Sequence, residues 1–214
     1  DRMDTRIALT GAPVFNAQDA QLKNQQVQKI KDLIARLSAD GLIVHINPLQ
    51  EWLQPEGDKI TIAPIITLQR LIEKLDTKII VKEVGQGMGK ESLKALMKLP
   101  IQAIELAAFG GTNFSKLELL RSEPEKLALY KFISNIGHSA EEMVDFINEI
   151  KQEESNSAIL CKQFIISGGI KNFLDGFYLR KKLNVPSVYG QASGFLKYAQ
   201  EDYKTLYEYV DAQV

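Results

Sequence analysis

The chain is poor in thiols and imidazoles, with one cysteine and two histidines among its 214 residues. A single cysteine excludes a disulfide framework within the chain. Metal sites built from soft ligands are disfavoured too, because His45 and His138 lie far apart in the sequence. Cys161 has no histidine or cysteine beside it, so we interpret it as a packing residue.

The chain also lacks an excess of charge and any long hydrophobic run. Lys plus Arg total 26 and Asp plus Glu total 27, so no net charge attracts nucleic acid or an anionic membrane. Apolar runs stay far short of the ~20 residues that span a bilayer, and no segment reads as a signal peptide. Together with the isolated cysteine, these absences predict a cytoplasmic protein with no membrane or nucleic-acid partner.

What the chain does have is an alternation of strand-like and helical segments. Apolar, β-branched runs predict six strands, near residues 7–15, 42–47, 78–84, 101–108, 164–167 and 185–190. Amphipathic spacing predicts helices over residues 19–38, 63–75, 90–98, 115–154 (broken near Pro124 and Gly137), 172–183 and 194–212. This pattern predicts a single α/β domain over residues 1–214, with a parallel sheet covered by helices.

Polar or glycine-rich residues follow one predicted strand after another. They are His45 and Asn47, Lys82 to Gly85, Gly110 to Thr112, and Gly168 with Gly169. The carboxyl ends of parallel strands form one edge, where α/β barrels and open α/β sheets both bind ligands. Contributions from at least four strands favour a (β/α)8 TIM barrel. Six strands do not close such a barrel, so we expect either an incomplete barrel whose first two strands lie upstream or an open fold.

The most informative segment is residues 45–58, which follow an apolar strand. Hydrogen-bonding side chains are crowded into its first seven positions: His45, Asn47, Gln50 and Glu51. So many polar groups directly after a strand predict a site for a polar ligand rather than a part of the core. Neutral donors with one acid suit an anion bound together with a cation. Glu51 in particular suits Mg²⁺, which prefers a carboxylate plus substrate phosphates.

Two glycine-containing segments are candidate phosphate sites. Gly168 and Gly169 lie between a predicted strand and a predicted helix, where backbone N–H groups and the helix N-terminus favour an anion. A tight strand-to-helix turn explains the same two residues nearly as well. The segment 190–194 is of the same type, and barrel enzymes often hold phosphate with their last two loops.

Three other residues allow two interpretations each. Lys82 either points into the barrel mouth or forms a structural ion pair with an acid such as Glu83; we favour the first, because adjacent strand side chains point to opposite faces. Thr112 either hydrogen-bonds a cofactor or caps the helix that follows it. His138 precedes a Ser139–Glu142 capping box and is interpreted as a helix-entry residue rather than a ligand.

Residues 45–58 resemble the signature of the type II isopentenyl-diphosphate isomerases. These are FMN-dependent barrel enzymes that interconvert isopentenyl and dimethylallyl diphosphate in isoprenoid biosynthesis. The likeness continues, in order, through Lys82-Glu-Val-Gly85, Gly110-Gly-Thr-Asn-Phe114 followed by Glu118 and Arg121, and Ser167-Gly-Gly-Ile170. It covers most of the chain, which corresponds to roughly the last two-thirds of a family member.

The resemblance implies roles for the polar residues of the signature. His45, Asn47 and Gln50 would contact the diphosphate or lie beside the alkene, with Gln50 and His45 as the candidate catalytic residues. Glu51 would bind Mg²⁺ that bridges the isoprenoid diphosphate substrate. Because Gln50 does not usefully titrate, the proton would come from the flavin or from water.

The resemblance also implies a flavin site and an assembly. The residues that would contact FMN are Lys82 and Thr112 at the ring, and Gly168, Gly169, Ala192 and Ser193 at the phosphate. NADPH would keep the flavin reduced, and a homo-oligomer, tetramer or octamer, is expected.

Some residues depart from the family pattern and keep alternatives open. Glu105 stands where aspartate is usual, and Lys171 stands where arginine is usual, which loses the bidentate fork. The chain has no counterpart of the family's amino-terminal Arg-Lys pair. The alternatives are another FMN-dependent TIM-barrel oxidoreductase, of the α-hydroxy-acid oxidase type, and a catalytically impaired flavin- or diphosphate-binding relative.

Overall fold

The computed structural model describes residues 7–10, 24–57 and 60–213, whose strands form one six-stranded sheet. Neighbouring strands are parallel and follow chain order across the sheet. They are β1 (Ile7–Thr10), β2 (Gly41–His45), β3 (Lys78–Lys82), β4 (Ala103–Glu105), β5 (Phe164–Ile166) and β6 (Ser187–Tyr189). The predicted α/β class and parallel sheet are confirmed as a partial (β/α) fold, and the complete eight-stranded barrel stays a prediction.

At least one helix follows each of these six strands. They are α1 (Asn24–Leu37), α2 (Pro48–Leu53), α3 (Pro64–Lys74), α4 (Lys90–Met97), α5 (Phe114–Leu120), α6 (Pro124–Tyr130), a 3₁₀ turn (Ile133–Asn135), α7 (Ala140–Glu153), α8 (Phe173–Lys182), α9 (Ser193–Ala199) and α10 (Tyr203–Asp211). The predicted capping box at α7 is confirmed, since the Ser139 side chain and Glu142 each accept the other's backbone N–H. Among the described residues no helix combines the length and apolar character needed to cross a membrane.

The predicted boundaries differ from the observed ones where local chemistry intervenes. The interruptions predicted within residues 115–154 are confirmed, because α6 begins at Pro124 and α7 only after Gly137. The single terminal helix predicted over 194–212 is wrong. Asp202 caps a separate helix, α10, by accepting the Thr205 N–H at 2.8 Å. Residues 11–15 of the first predicted strand and 19–23 of the first predicted helix lie outside the described residues.

The two faces of the sheet have different neighbours. The face packed under the helices carries the main core, which includes Leu42, Val44, Ile79, Val81, Ile104 and Phe164. Cys161 is buried in this core, which confirms its packing role. The opposite face carries a small apolar cluster of Ile43, Ile80 and Ala103. Two residues further along the same three strands, that face becomes polar, and this change positions the site described next.

Candidate active site

Three polar side chains form a row at the carboxyl edge of the sheet. The strand register pairs His45 with Lys82 and Lys82 with Glu105, so all three side chains project from the same face. The Lys82 ammonium donates to the backbone carbonyl of Glu83 at 2.7 Å. Ser167 donates its hydroxyl to the Glu105 carboxylate at 2.9 Å. This row is continuous across three strands and ends at a fourth.

The Glu83 carboxylate accepts hydrogen bonds from the backbone and does not form the ion pair considered for Lys82. One of its oxygens accepts the backbone N–H groups of Val84, Gly85 and Gln86, each at 2.6 Å, and that of Gly87 at 3.0 Å. The Glu83 carboxylate therefore holds the loop after β3, and the ion-pair alternative for Lys82 is wrong. Burial raises the pKa of Glu83, and the four backbone donors oppose that rise. The sequence signal was a carboxylate directly before a glycine-rich turn.

A cavity of about 330 Å³ opens beside the row, within the size range of small-molecule sites. All six residues predicted to contact a cofactor line it: Lys82, Thr112, Gly168, Gly169, Ala192 and Ser193. Glu105 and Ser167 line it as well. Four segments that are distant in sequence thus meet around one space.

The first residues of α5 decide between the two interpretations of Thr112. The residue that caps this helix is Asn113, whose side-chain oxygen accepts the Lys116 N–H at 2.8 Å. Thr112 lies one residue earlier and lines the cavity. The capping interpretation of Thr112 is therefore wrong, and its role toward a ligand stays a prediction.

The loops after β4 and β5 pack backbone against backbone at the cavity. Gly168 and Gly169 both have positive φ, of 87° and 75°. A β-carbon on Gly168 would lie 2.1 Å from the Ala108 carbonyl oxygen, so only glycine fits there. Ala107, also in the cavity wall, has a positive φ of 41°, and the Ser167 hydroxyl accepts its N–H at 3.1 Å. Sequence reasoning did not identify Ala107, because an alanine gives no signal of a positive φ.

His45 is held in its neutral form at the end of β2. Burial, and secondly the positive charge of Lys82, lower its pKa. Its Nε2 atom is buried and has no hydrogen-bond partner among the described residues. A neutral imidazole with an unpartnered nitrogen can exchange one hydrogen bond with a ligand.

The polar residues after His45 lie on a short helix rather than in the predicted loop. Pro48 occupies the first turn of α2, where a proline has no N–H to leave unpaired. Asn47 donates to Glu51 at 2.9 Å and to Gln50 at 3.2 Å, and Gln54 donates to the other Glu51 oxygen at 2.8 Å. Asn47 is nevertheless buried, with 9% of its surface exposed, and belongs to neither hydrophobic cluster.

A buried carboxylate fixes the orientation of the Gln50 amide. Gln50 donates to one oxygen of Glu118 at 3.1 Å, and the Arg121 guanidinium donates to the other at 2.6 Å. Arg121 also donates to Glu56 at 2.7 Å. Glu118 is only 4% exposed, and the ion pair with Arg121 compensates for the burial of its carboxylate. The resemblance located Glu118 and Arg121 in the chain but gave them no role.

The predicted site residues thus fall into two neighbouring groups. The cofactor candidates line the cavity, whereas Asn47, Gln50 and Glu51 do not form part of its wall. His45 connects the groups through its pairing with Lys82. Within the described residues the structure brings all these positions to one edge of the sheet.

The residues at this edge of the sheet are suited to bind an anion together with a cation. Consecutive glycines in a turn conformation present backbone N–H groups to a phosphate without side-chain obstruction, which suits Gly168 and Gly169. Three histidine, cysteine or acidic side chains do not cluster anywhere in the described part of the chain. A cation at Glu51 would therefore complete its coordination with phosphate oxygens and water, as Mg²⁺ commonly does.

The chain is similar in sequence to curated proteins of one name. No family model matches it. Curated proteins named isopentenyl-diphosphate delta-isomerase from Bacillus licheniformis and Legionella pneumophila are 31% and 32% identical to it over 172 and 158 residues. A protein of the same name from Ignicoccus hospitalis is 31% identical over 213 residues. The chain is homologous to these isomerases.

The alignments cover a larger share of this chain than of its relatives. The matches take in 80%, 73% and 97% of this chain but 45%, 44% and 54% of the Bacillus, Legionella and Ignicoccus proteins. The chain therefore spans about half the length of the curated isopentenyl-diphosphate delta-isomerases that it matches.

Proposed function

We propose that this protein acts as an isopentenyl-diphosphate isomerase of the flavin-dependent type II. Its reaction would interconvert isopentenyl and dimethylallyl diphosphate. The observation that carries the proposal is the glycine-lined cavity beside the His45–Lys82–Glu105 row. The homologues named isopentenyl-diphosphate delta-isomerase support the substrate class.

The cavity residues would hold FMN. Gly168 and Gly169 would donate backbone N–H groups to its phosphate, with Ala192 and Ser193 at the start of α9 on the same side. Lys82 and Thr112 would contact the ring. Reduced by NADPH, FMN would supply the acid–base chemistry of the double-bond shift.

The α2 residues would hold the diphosphate. Gln50 offers an amide donor, and the neutral His45 offers one further hydrogen bond at the edge of the sheet. Asn47, whose amide NH₂ donates to Gln50 and Glu51, would orient these two residues toward the substrate. Glu51 would bind Mg²⁺ together with diphosphate oxygens. Glu118 keeps the Gln50 amide in one orientation, so the substrate would meet a preorganised group rather than a mobile one.

The decisive experiment is conversion of isopentenyl to dimethylallyl diphosphate by the purified protein with FMN, NADPH and Mg²⁺. We expect conversion by the wild type and a loss of at least about a hundredfold in Glu51→Gln, since one metal-ligating charge is removed. Glu123→Gln changes an exposed carboxylate and should retain activity. Full activity of Glu51→Gln would contradict the metal role.

A second candidate is a flavin-binding relative that does not isomerise the substrate. The observation that favours it is that Asn47, Gln50 and Glu51 are not in the wall of the cavity that would hold FMN. Such a protein would turn yellow on addition of FMN and convert no substrate. An oxidase of the α-hydroxy-acid type is less well supported, because neither His45 nor His138 is in the wall of the cavity.

A further inference from the structure

A second cavity, of about 570 Å³, lies next to the loop that follows β3. Glu83, Gln86 and Gly87 of this loop line it, whereas Val84 and Gly85 line the first cavity. None of the residues assigned above to FMN, Mg²⁺ or substrate is in its wall. Most of that wall is apolar and includes Ile46, Leu49, Ile65, Met88, Leu96 and Ile136.

Two side chains of this wall, Gln86 and His138, each carry a buried polar atom with no hydrogen-bond partner among the described residues: the amide oxygen of Gln86 and Nδ1 of His138. Gln86 is 8% exposed, and its amide NH₂ donates to the backbone carbonyls of Ser134 (3.3 Å) and Ile136. Two carbonyl acceptors on one side identify that side as the NH₂ group, so the amide oxygen points away from them. This oxygen is buried and has no hydrogen-bond partner among the described residues. A buried acceptor of this kind favours a ligand that donates a hydrogen bond.

Helix N-termini supply donors at the same cavity. The first residues of α3 (Pro64 and Ile65) line it, and so do Glu91 and Ser92 in the first turn of α4. Neither N-cap, Ala63 or Gly89, makes a side-chain capping hydrogen bond. Pro64 has no N–H, but those of Ile65, Glu91 and Ser92 lie in a first helical turn and have no partner within the helix, so they can donate to an oxygen of a ligand.

The charges around the cavity exclude an anion as the favoured ligand. No lysine or arginine of the described chain is in the wall, whereas the acidic residues Glu83 and Glu91 are. A hydroxyl group meets both polar requirements, because it donates one hydrogen bond and accepts others. We propose that this cavity binds a neutral aliphatic alcohol, with its hydroxyl donating to the Gln86 amide oxygen and its hydrocarbon chain against the apolar wall. The proposal does not depend on the proposed isomerase activity.

Octanol is the probe, and the methyl group of Met88 is the reporter. In protein labelled with ¹³C at the methionine methyl groups, we expect octanol to shift the Met88 resonance in a saturable way. The resonance of Met97, buried in the main core and outside this cavity wall, should stay in place. Absence of a saturable Met88 shift up to the solubility limit of octanol would overturn the proposal.

A blocking variant tests the location. Ala95 is in the cavity wall, so Ala95→Leu should abolish the octanol-dependent shift. The matched control Ala35→Leu, at an exposed position of α1, should leave it unchanged. The Met97 resonance reports whether Ala95→Leu folds. If it does not fold, Ser92→Leu on the same helix takes its place as the blocking variant. Binding that persists in a folded blocking variant would place the alcohol elsewhere and contradict the proposal.

Matched probes test the chemistry without altering the protein. Octyl methyl ether keeps an acceptor oxygen but has no donor, and its affinity should be about five- to tenfold lower than that of octanol. Octanoate should bind more weakly still, because its charge meets Glu91 and no cation. Gln86→Met should lower octanol affinity by about the same factor as the loss of the donor. Equal affinities of octanol and either comparator would refute the assigned hydroxyl contact.

Discussion

The α-carbon of Gly168 faces the Ala108 carbonyl so closely that a β-carbon there would lie 2.1 Å from that oxygen. The contact joins the loop after β5 to the loop after β4, and both residues are in the wall of the first cavity. It explains why a glycine is needed at this position in addition to its φ of 87°. The two loops can therefore approach and form one wall.

Gly168→Ala should disturb both stability and ligand binding. We expect a loss of about 3 kcal/mol or more in the free energy of unfolding, since a positive φ and a backbone clash are combined. We also expect FMN binding to fall by at least about tenfold, because the turn carries the proposed phosphate donors. Urea unfolding and a flavin titration measure the two effects.

Gly190→Ala is the matched control for this substitution. Gly190 lines the same cavity, but a β-carbon there would meet only the Ser167 β-carbon, at 3.6 Å. We expect its stability to stay within about 1 kcal/mol of wild type. Equal destabilisation by the two substitutions would show that the close approach to Ala108 is not what requires glycine at position 168.

Glu83 provides a second prediction, since its carboxylate accepts four backbone N–H groups of one loop. Glu83→Ala leaves these buried donors unpaired and should lower the free energy of unfolding by about 3 kcal/mol. Glu83→Gln keeps one acceptor oxygen and should lose less. Urea unfolding of both variants gives the comparison, and equal stability of the two would rule out the loop-holding role.

Periodic elements were predictable from the sequence, whereas contacts between distant residues were not. The β-branched run at Ile79 and Ile80 indicated β3, and the capping box that begins at Ser139 indicated the start of α7. The short helix α2 was missed because six residues hold too few apolar positions for a period to show. The polar residues after His45 were found, but their bonding to Glu118, 68 positions away from Gln50, has no local signal.

The lowered pKa of His45 predicts how the free energy of unfolding changes with pH. In the unfolded chain this imidazole binds a proton near pH 6.5, and in the folded protein its pKa is lower. Below pH 6.5 the unfolded state therefore binds more protons, so stability should fall as the pH falls from 6.5 toward 5. His45→Gln should flatten this part of the stability curve measured by urea unfolding. An unchanged slope in the variant would exclude His45 as its source.

The thiol of Cys161 should be unreactive in the native protein. Burial raises its pKa to about 11, and its sulfur is 0% exposed within the main core. Because the thiolate is the reactive form, labelling by a thiol reagent at pH 8 should be about a hundredfold or more slower than for an exposed cysteine. The double variant Cys161→Ser/Ser157→Cys supplies that exposed thiol on a nearby loop. In urea, which unfolds the protein, the labelling rate of wild-type Cys161 should rise to the rate of this exposed thiol. Equal rates for the two native proteins would contradict the buried, protonated state of Cys161 and the packing role inferred from it.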